Sequence, residues 1–243
     1  MKEITGNSKY GTDTLEVISA ADHFNRWMYE TIKPHCRGEI LEIGSGIGNI
    51  SQFFLHDGSN IWLSDIERSY FPRLEEKFGK YKNLRGMIRL DFSDKNLEKN
   101  HPELLEKFDT IFALNVVEHI PDHEQALKNA MKMLRKGGKV VILVPAFPSL
   151  YNGFDEQLDH QRRYTRKSLT ALIENADFEI IHKQYFNFIA IFGWFISGTI
   201  LRKRMIPNGQ MKFYDHLVPL WKLIDIFTRR LAGVSVIQVG LKK

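Results

Sequence analysis

Glu39-Ile40-Leu41-Glu42-Ile43-Gly44-Ser45-Gly46-Ile47-Gly48-Asn49-Ile50 runs a short apolar strand straight into three glycines at spacing two. A turn that tight takes positive φ, which glycine adopts at little cost, and the missing side chains let a ligand lie on the backbone. A helix starting near Asn49 then aims its unpaired N–H groups at whatever sits there. The stretch is a nucleotide or nucleoside cradle at the carboxyl end of a strand, where open α/β sheets bind ligands.

The chain on either side repeats this alternation. A 3.6-residue period over residues 13 to 33 predicts a helix that Pro34 ends, part of an N-terminal helical cap over residues 1–36 behind a polar lead. Strands are expected at 60–65, 84–90, 108–114, 139–144, 178–185 and 234–241. Helices are expected at 49–56, 69–81, 121–135 (Pro121 in the first position) and 165–175 (capped by Thr165), with 93–107 a helix or loop. Near-continuous apolar strands alternating with helices mean a parallel sheet covered on both faces, a doubly wound Rossmann-like α/β fold. With 243 residues the expectation is one domain carrying elaborations.

Composition excludes some chemistry. Cys36 is the lone cysteine, which rules out an internal disulfide, a cysteine metal cluster and catalysis by a cysteine pair. The first residues, Met1 to Gly6, hold no apolar core of a signal peptide, so a cytoplasmic setting is expected. Charge is uneven. Residues 185–243 hold nine Lys/Arg against two Asp/Glu, a net of +7, while residues 1–184 come to −2. The basic character therefore belongs to the C-terminal quarter, either for solubility or for an anionic surface.

Polar groups collect at consecutive strand ends. Asp65 closes the second strand, Asp91-Phe92 the third, and Asn115-Val116-Val117-Glu118-His119-Ile120 the fourth. A P-loop is excluded because no Gly-Lys-Ser/Thr follows the glycines, and Ser51 stands where a dinucleotide fingerprint places its third glycine. A nicotinamide-dependent oxidoreductase on a similar sheet remains the alternative.

With Leu134-Arg135-Lys136-Gly137-Gly138 added, these motifs make the chain resemble the class I S-adenosylmethionine-dependent methyltransferases over residues 37–185 and the last strand. The resemblance implies a seven-stranded sheet with the last strand antiparallel, and S-adenosylmethionine as cofactor. It implies cofactor contacts from Glu42, Gly44, Ser45, Gly46 and Gly48, with Asp65 and Ile66 at the ribose. Asp91 and Phe92 would meet the adenine, and Asn115 and Val116 the methionyl end. Ser45 departs from a common alanine or cysteine and is small enough to fit. Asn115-Val116-Val117-Glu118 is not the Asn/Asp-Pro-Pro-aromatic motif of amide and base-amine methyltransferases, which argues against nucleic acid as acceptor.

The acceptor side is expected in the loop over residues 146–165, which follows the fifth strand and can arch over the same rim. His160 is the first choice of general base, with Asp155 its rival or orienting partner. His119 is expected to line the transfer pocket, and Tyr151, Arg163 and Tyr164 to hold substrate. Alternatively Asp159, Arg162 and Arg163 form an ion-pair network that fixes the loop. His119, Asp122 and His123 do not share a helical face, so no metal site is expected there.

Residues 186–232 form a hydrophobic and basic helical insertion. Tyr185 to Leu201 carries no charge and ends in Arg202-Lys203-Arg204, too short to span a bilayer. Residues 185–204 with the amphipathic stretch Leu217 to Leu231 suit the interface of an anionic membrane, or else a cap buried on the core or in a dimer. The tail also resembles bacterial methyltransferases of cell-envelope glycans and lipids. The expected function is methyl transfer to the hydroxyl oxygen of a small-molecule, lipid-linked or glycan-type acceptor, peripheral at the inner membrane face. A peripheral membrane protein with a vestigial cofactor site is the further alternative.

Overall fold

The computed structural model describes residues 15–203 and 208–243. The polar lead and Arg204 lie outside them. Strands β1 (Ile40–Ile43), β2 (Ile61–Asp65), β3 (Leu84–Arg89), β4 (Phe108–Leu114), β5 (Leu134–Pro145), β6 (Glu179–Phe186) and β7 (Ser235–Leu241) form one sheet. Its order is β3-β2-β1-β4-β5-β7-β6. β7 runs antiparallel to both β5 and β6, and the pairs from β3 through β5 are parallel. This is the seven-stranded topology that the resemblance implied.

Both faces are covered because β1, β4 and β5 are apolar on both sides. On one face α1 (Asp22–Ile32), α2 (Ser51–His56) and α3 (Phe71–Phe78) bury Trp27, Phe54 and Phe78 against Ile40 and Phe112. On the other, α4 (His123–Met133) packs Ala126, Leu127 and Ala130 against Leu41 and Ile111. The short α5 (Gly153–Gln157) leads to α6 (Arg166–Glu174), which adds Leu169 and Ile173 to the same side. Each such Leu, Ile or Phe side chain taken fully from water contributes about 1.5–3 kcal/mol. Strand order reverses between β1 and β4, which leaves a crevice at their carboxyl ends.

Several boundaries differ from expectation. The helix expected over residues 13–33 is, within the described residues, broken at Ala20 and Ala21 into a short helix at 15–19 and α1. Asn25 makes the break stable by donating its side-chain amide to the Ile18 carbonyl at 2.8 Å. Pro121 is not the first helical residue, since α4 begins at His123 with Asp122 as its cap, accepting from the Gln125 N–H at 3.1 Å. β5 begins at Leu134 rather than Lys139, because Leu134 pairs with Phe108 and the Gly137 N–H donates to the Lys242 carbonyl at 2.8 Å. The acceptor loop is not structureless. It holds α5 and a single bridge between Ala146 and Tyr164. Between β6 and β7 stand α7 (Ala190–Trp194), running on as a wider helix through Phe195–Ile200, then α8 (Asn208–His216) and α9 (Val218–Thr228).

Candidate active site

The glycine turn is closed on itself at the end of β1. Gly44 has φ +71°, and a Cβ there would meet Val116 Cγ2 at 2.5 Å. Only glycine lets the β4 rim come that close. Gly48, at φ +82°, lies where a side chain would collide with the ring of Phe78, so it seats α3 against the turn. The Gly46 N–H donates to Asp65 Oδ2 at 2.9 Å, and the Glu67 N–H to Asp65 Oδ1 at 2.9 Å. A carboxylate has about four acceptor directions, so these bonds do not saturate Asp65. Burial raises its pKa against those bonds. Leu15 lies over the turn, 3.2 Å from where a Cβ on Gly46 would stand. Leu15 thus covers the cradle, while Trp27, Met28 and Ile32 belong to the core.

The residues around the turn divide. Glu42 is buried and accepts from the Ser51 hydroxyl, and burial pushes its pKa up to about 8. Ser45 Oγ accepts from the Ser64 N–H at 3.2 Å. Ile66 is exposed at the rim. Asp91 is exposed and accepts from the Ser93 N–H and hydroxyl at 2.9 and 2.8 Å. Phe92 is buried in the core. Asn115 takes φ +53° and donates its N–H to the Leu143 carbonyl at 2.9 Å, turning the chain over the rim beside Val116.

The loop after β5 brings a second constellation to the same rim. His160 Nδ1 lies 2.8 Å from Asp155 Oδ1, and Arg163 Nε donates to the same oxygen at 2.7 Å. Asp155 Oδ2 accepts from the Asn152 N–H at 3.0 Å in the capping box of α5. Burial opposes ionisation of Asp155, but the His160 bond and the Arg163 charge win and hold its pKa below the usual range. On the far side of the imidazole, Nε2 lies 3.9 Å from Glu118 Oε1. Glu118 is fully buried, and neither of its carboxyl oxygens has a partner. Burial pushes its pKa up to about 8, so it carries a proton at neutral pH. The His119 ring stands edge-on to His160 at 4.8 Å between centroids, and burial together with His160 pulls its pKa down to about 4. The Gln161 N–H donates to the Glu118 carbonyl at 2.9 Å and ties loop to rim.

Residues 22–183 match the sequence model of a family described as a methyltransferase domain, on a sheet of the topology described above. The chain is a class I S-adenosylmethionine-dependent methyltransferase. The segment of this methyltransferase that matches lovastatin nonaketide synthase mokA of Monascus pilosus is 31% identical over 140 residues, 56% of the chain. The chain spans only about 4% of the length of the first curated relatives it matches. Among solved structures it is similar in fold to the Haemonchus contortus phosphoethanolamine N-methyltransferase 2 in complex with S-adenosyl-L-methionine. The TM-score is 0.57 at 19% identity, over 90% of this chain and 52% of that one. It is similar also to the CurJ carbon methyltransferase, with TM-score 0.55 at 14% identity over 91% and 53%. The family assignment replaces the nicotinamide alternative.

Two residues expected at the methyltransferase's acceptor surface are not there. Arg163 is buried, bonded to Asp155 and to the Ala146 carbonyl at 2.9 Å, with its guanidinium 4.7 Å over the Trp194 ring. Its charge is committed to holding Asp155 and is not free for an anionic substrate. Tyr164 is buried in the core with its hydroxyl 2.8 Å from His123 Nδ1. Tyr151 does stand at the surface and donates its hydroxyl to the His160 carbonyl at 2.8 Å. Asp155 is bonded on both oxygens, to His160 and Arg163 at Oδ1 and to the Asn152 N–H at Oδ2. The expected network of Asp159, Arg162 and Arg163 does not form among the described residues: Arg163 pairs with Asp155 instead, and Arg162 donates to the Ile120 and Pro121 carbonyls at 2.8 and 3.2 Å.

Among the described residues the trio that gathers is Glu118, His119 and His160, whose nearest ligand atoms lie within 4.8 Å of one another. His123 and Asp122 take no part in it. Glu118 is the residue that sequence reasoning missed. Its one signal was an acid shortly after an apolar strand, inside a run that already held three candidate positions, Asn115, Val116 and His119.

Proposed function

We propose that this methyltransferase methylates a hydroxyl oxygen of a small, lipid-linked or glycan-type acceptor, with His160 as general base. The supporting observation is the gap between His160 Nε2 and Glu118. Nδ1–H donates to Asp155, which fixes the tautomer and leaves the lone pair on Nε2. At 3.9 Å, Nε2 and Glu118 Oε1 are too far apart to bond each other. They are near enough for one oxygen between them to donate to Nε2 and accept from the Glu118 carboxyl. A hydroxyl, or one water relaying its proton, fits that position.

The turn and Asp65 form a cradle that suits S-adenosylmethionine, with Asp65 on the ribose hydroxyls and Asn115 and Val116 toward the methionyl end. When bound, the cofactor supplies a methyl group on a sulfonium, whose departure leaves a neutral thioether needing no acid. The chain's own work is to orient the hydroxyl, exclude water and take its proton at Nε2, where Asp155 stabilises the imidazolium formed. Arg163 keeps Asp155 ionised for that purpose.

The test is a labelling experiment. The protein is given methyl-tritiated cofactor with a total lipid extract and, separately, with an aqueous small-molecule extract. Label in the lipid fraction that is lost with His160→Gln supports the reading. Label retained with that variant overturns the base. The likeness to a carbon methyltransferase favours a second reading, in which the same imidazole removes a proton from carbon beside a carbonyl. The carbon-13 shift of the transferred methyl separates oxygen from carbon.

A further inference from the structure

The insertion between β6 and β7 turns apolar side chains outward on two helices. On α9, Leu220, Leu223 and Phe227 recur at spacings of three and four and are 49%, 55% and 75% exposed, and Leu231, in the turn just past the helix, is 76% exposed. Its opposite side is anchored by buried Val218 and Asp225. On α7 and its wider continuation, Phe192, Ile196 and Ile200 recur every four residues and are 53%, 48% and 60% exposed. A helix on a water-soluble surface places polar residues there. Single exposed apolar residues are ordinary, but two such stripes are not.

The charges around the stripes have one sign. Residues 185–243 contain two acids, Asp215 and Asp225, and both are buried. Asp215 accepts from the Phe24 N–H at 2.8 Å and meets the His23 ring at 2.9 Å. Asp225 accepts from the Phe188 N–H at 2.9 Å. Arg202, Lys203, Lys212, Arg229 and Arg230 are exposed. Among the described residues of this segment, the surface is therefore apolar and basic with no exposed acid. A second copy docking by a twofold axis would set this basic rim against itself. An anionic lipid surface complements both parts.

The inner side of the same helix roofs the acceptor loop. Trp194 packs on Phe154 at 5.1 Å between ring centroids and lies under the Arg163 guanidinium. The Asn152 side-chain amide donates to Thr199 Oγ1 at 3.3 Å. The outward stripe on Phe192, Ile196 and Ile200 is thus one helix thickness, about 10 Å, from the loop that holds His160.

We propose that the outer faces of Ala190–Ile200 and Val218–Thr228 dock this enzyme on an anionic lipid surface, presenting the acceptor loop to a hydroxyl at headgroup depth. Docking deepens the lipid-linked reading of the acceptor, and its test uses neither acceptor nor methyl donor. No helix among the described residues is long and apolar enough to cross a membrane, so attachment is by the face of the insertion.

The full chain is floated with vesicles of phosphatidylcholine alone and of phosphatidylcholine mixed with phosphatidylglycerol. Binding to the mixed vesicles, weakened by salt, is expected. Phe227→Ser with Leu231→Ser lowers it about tenfold or more. Arg229→Gln with Arg230→Gln lowers it by about fivefold per charge. All four side chains are exposed, so unchanged thermal melting certifies the variants as folded. Absence of binding, equal binding to both vesicles, or variants that bind like the parent overturns the proposal. So does a dimer in solution that Phe227→Ser converts to monomer, which makes the patch a self-association surface. S-Adenosylhomocysteine binding is measured on the same samples. If it persists without vesicle binding, docking alone fails. If vesicle binding persists without it, the methyl-transfer assignment fails instead.

Discussion

The proposed cofactor half and the proposed acceptor half of the site meet at one rim but are built differently. The cofactor half is made of strand ends and backbone. Gly46 and Asp65 are neighbours because β1 and β2 are neighbours, and the main-chain N–H groups of Gly46 and Glu67 donate to that one carboxylate. The acceptor half is made of side chains from distant segments. Arg163 reaches Asp155 and Trp194, Asn152 reaches Thr199, and Glu118 faces His160. Backbone architecture is shared by many sequences, whereas side-chain constellations belong to one. The first half therefore tells the reaction class and the second must tell the acceptor.

The comparison breaks most sharply if the halves fail separately. His160→Gln should lower turnover by about 10²–10⁴-fold while S-adenosylhomocysteine affinity by calorimetry stays unchanged. A matching loss of affinity would mean that the halves are one unit. Arg163→Ala leaves the Asp155 charge buried beside fewer partners, so unfolding free energy should fall by about 3–5 kcal/mol in denaturant titrations. A neutral result would make the ion pair dispensable. Asp65→Ala should weaken S-adenosylhomocysteine by about 1.5–3 kcal/mol, with the acceptor loop's protection from hydrogen exchange preserved.

Glu118 sharpens the comparison through pH. Its folded pKa of about 8 lies above the ordinary 4.5. A raised value means that the native state holds the proton more tightly, so this group's stabilisation is full below about 4.5 and is lost as pH rises to 8. Glu118→Gln is neutral throughout. Its melting temperature relative to the parent should therefore rise steadily from pH 5 to about 8.5. A flat difference would show that Glu118 is ionised in the parent. The smallest expected effect is none: stripping divalent ions with a chelator should leave turnover intact. A loss that zinc restores would turn Glu118, His119 and His160 into a metal centre.

Legibility followed the same division. The strand ends at Asp65, Asp91 and Asn115 were readable because apolar runs of β-branched and aromatic residues announce parallel strands, and the next polar residue must lie at their rim. Leu134 and Arg135 were misplaced in a helix because their strand partner, Phe108, is distant in the chain and local periodicity carries no trace of it. Arg163 and Tyr164 were misjudged for a related reason. A buried ion pair and a buried phenol look in sequence like surface polarity, and only the fold shows Trp194 and His123 closing over them. Glu118 was passed over because an unpartnered buried acid is so costly that sequence reasoning assumes solvent instead.

The amide of Asn152 speaks to two listeners at once. Its oxygen accepts the Phe154 N–H at 2.9 Å and starts the helix that holds Asp155. Its nitrogen turns the other way, to Thr199 and toward the Trp194 carbonyl at 3.5 Å. Aspartate would keep the cap and aim a charge at that carbonyl, while serine would not reach across. Opposite stands Gly198, where any side chain would run into the same amide. The two positions are a matched pair: the bare Cα of Gly198 makes the room that the Asn152 amide needs to bridge loop and insertion.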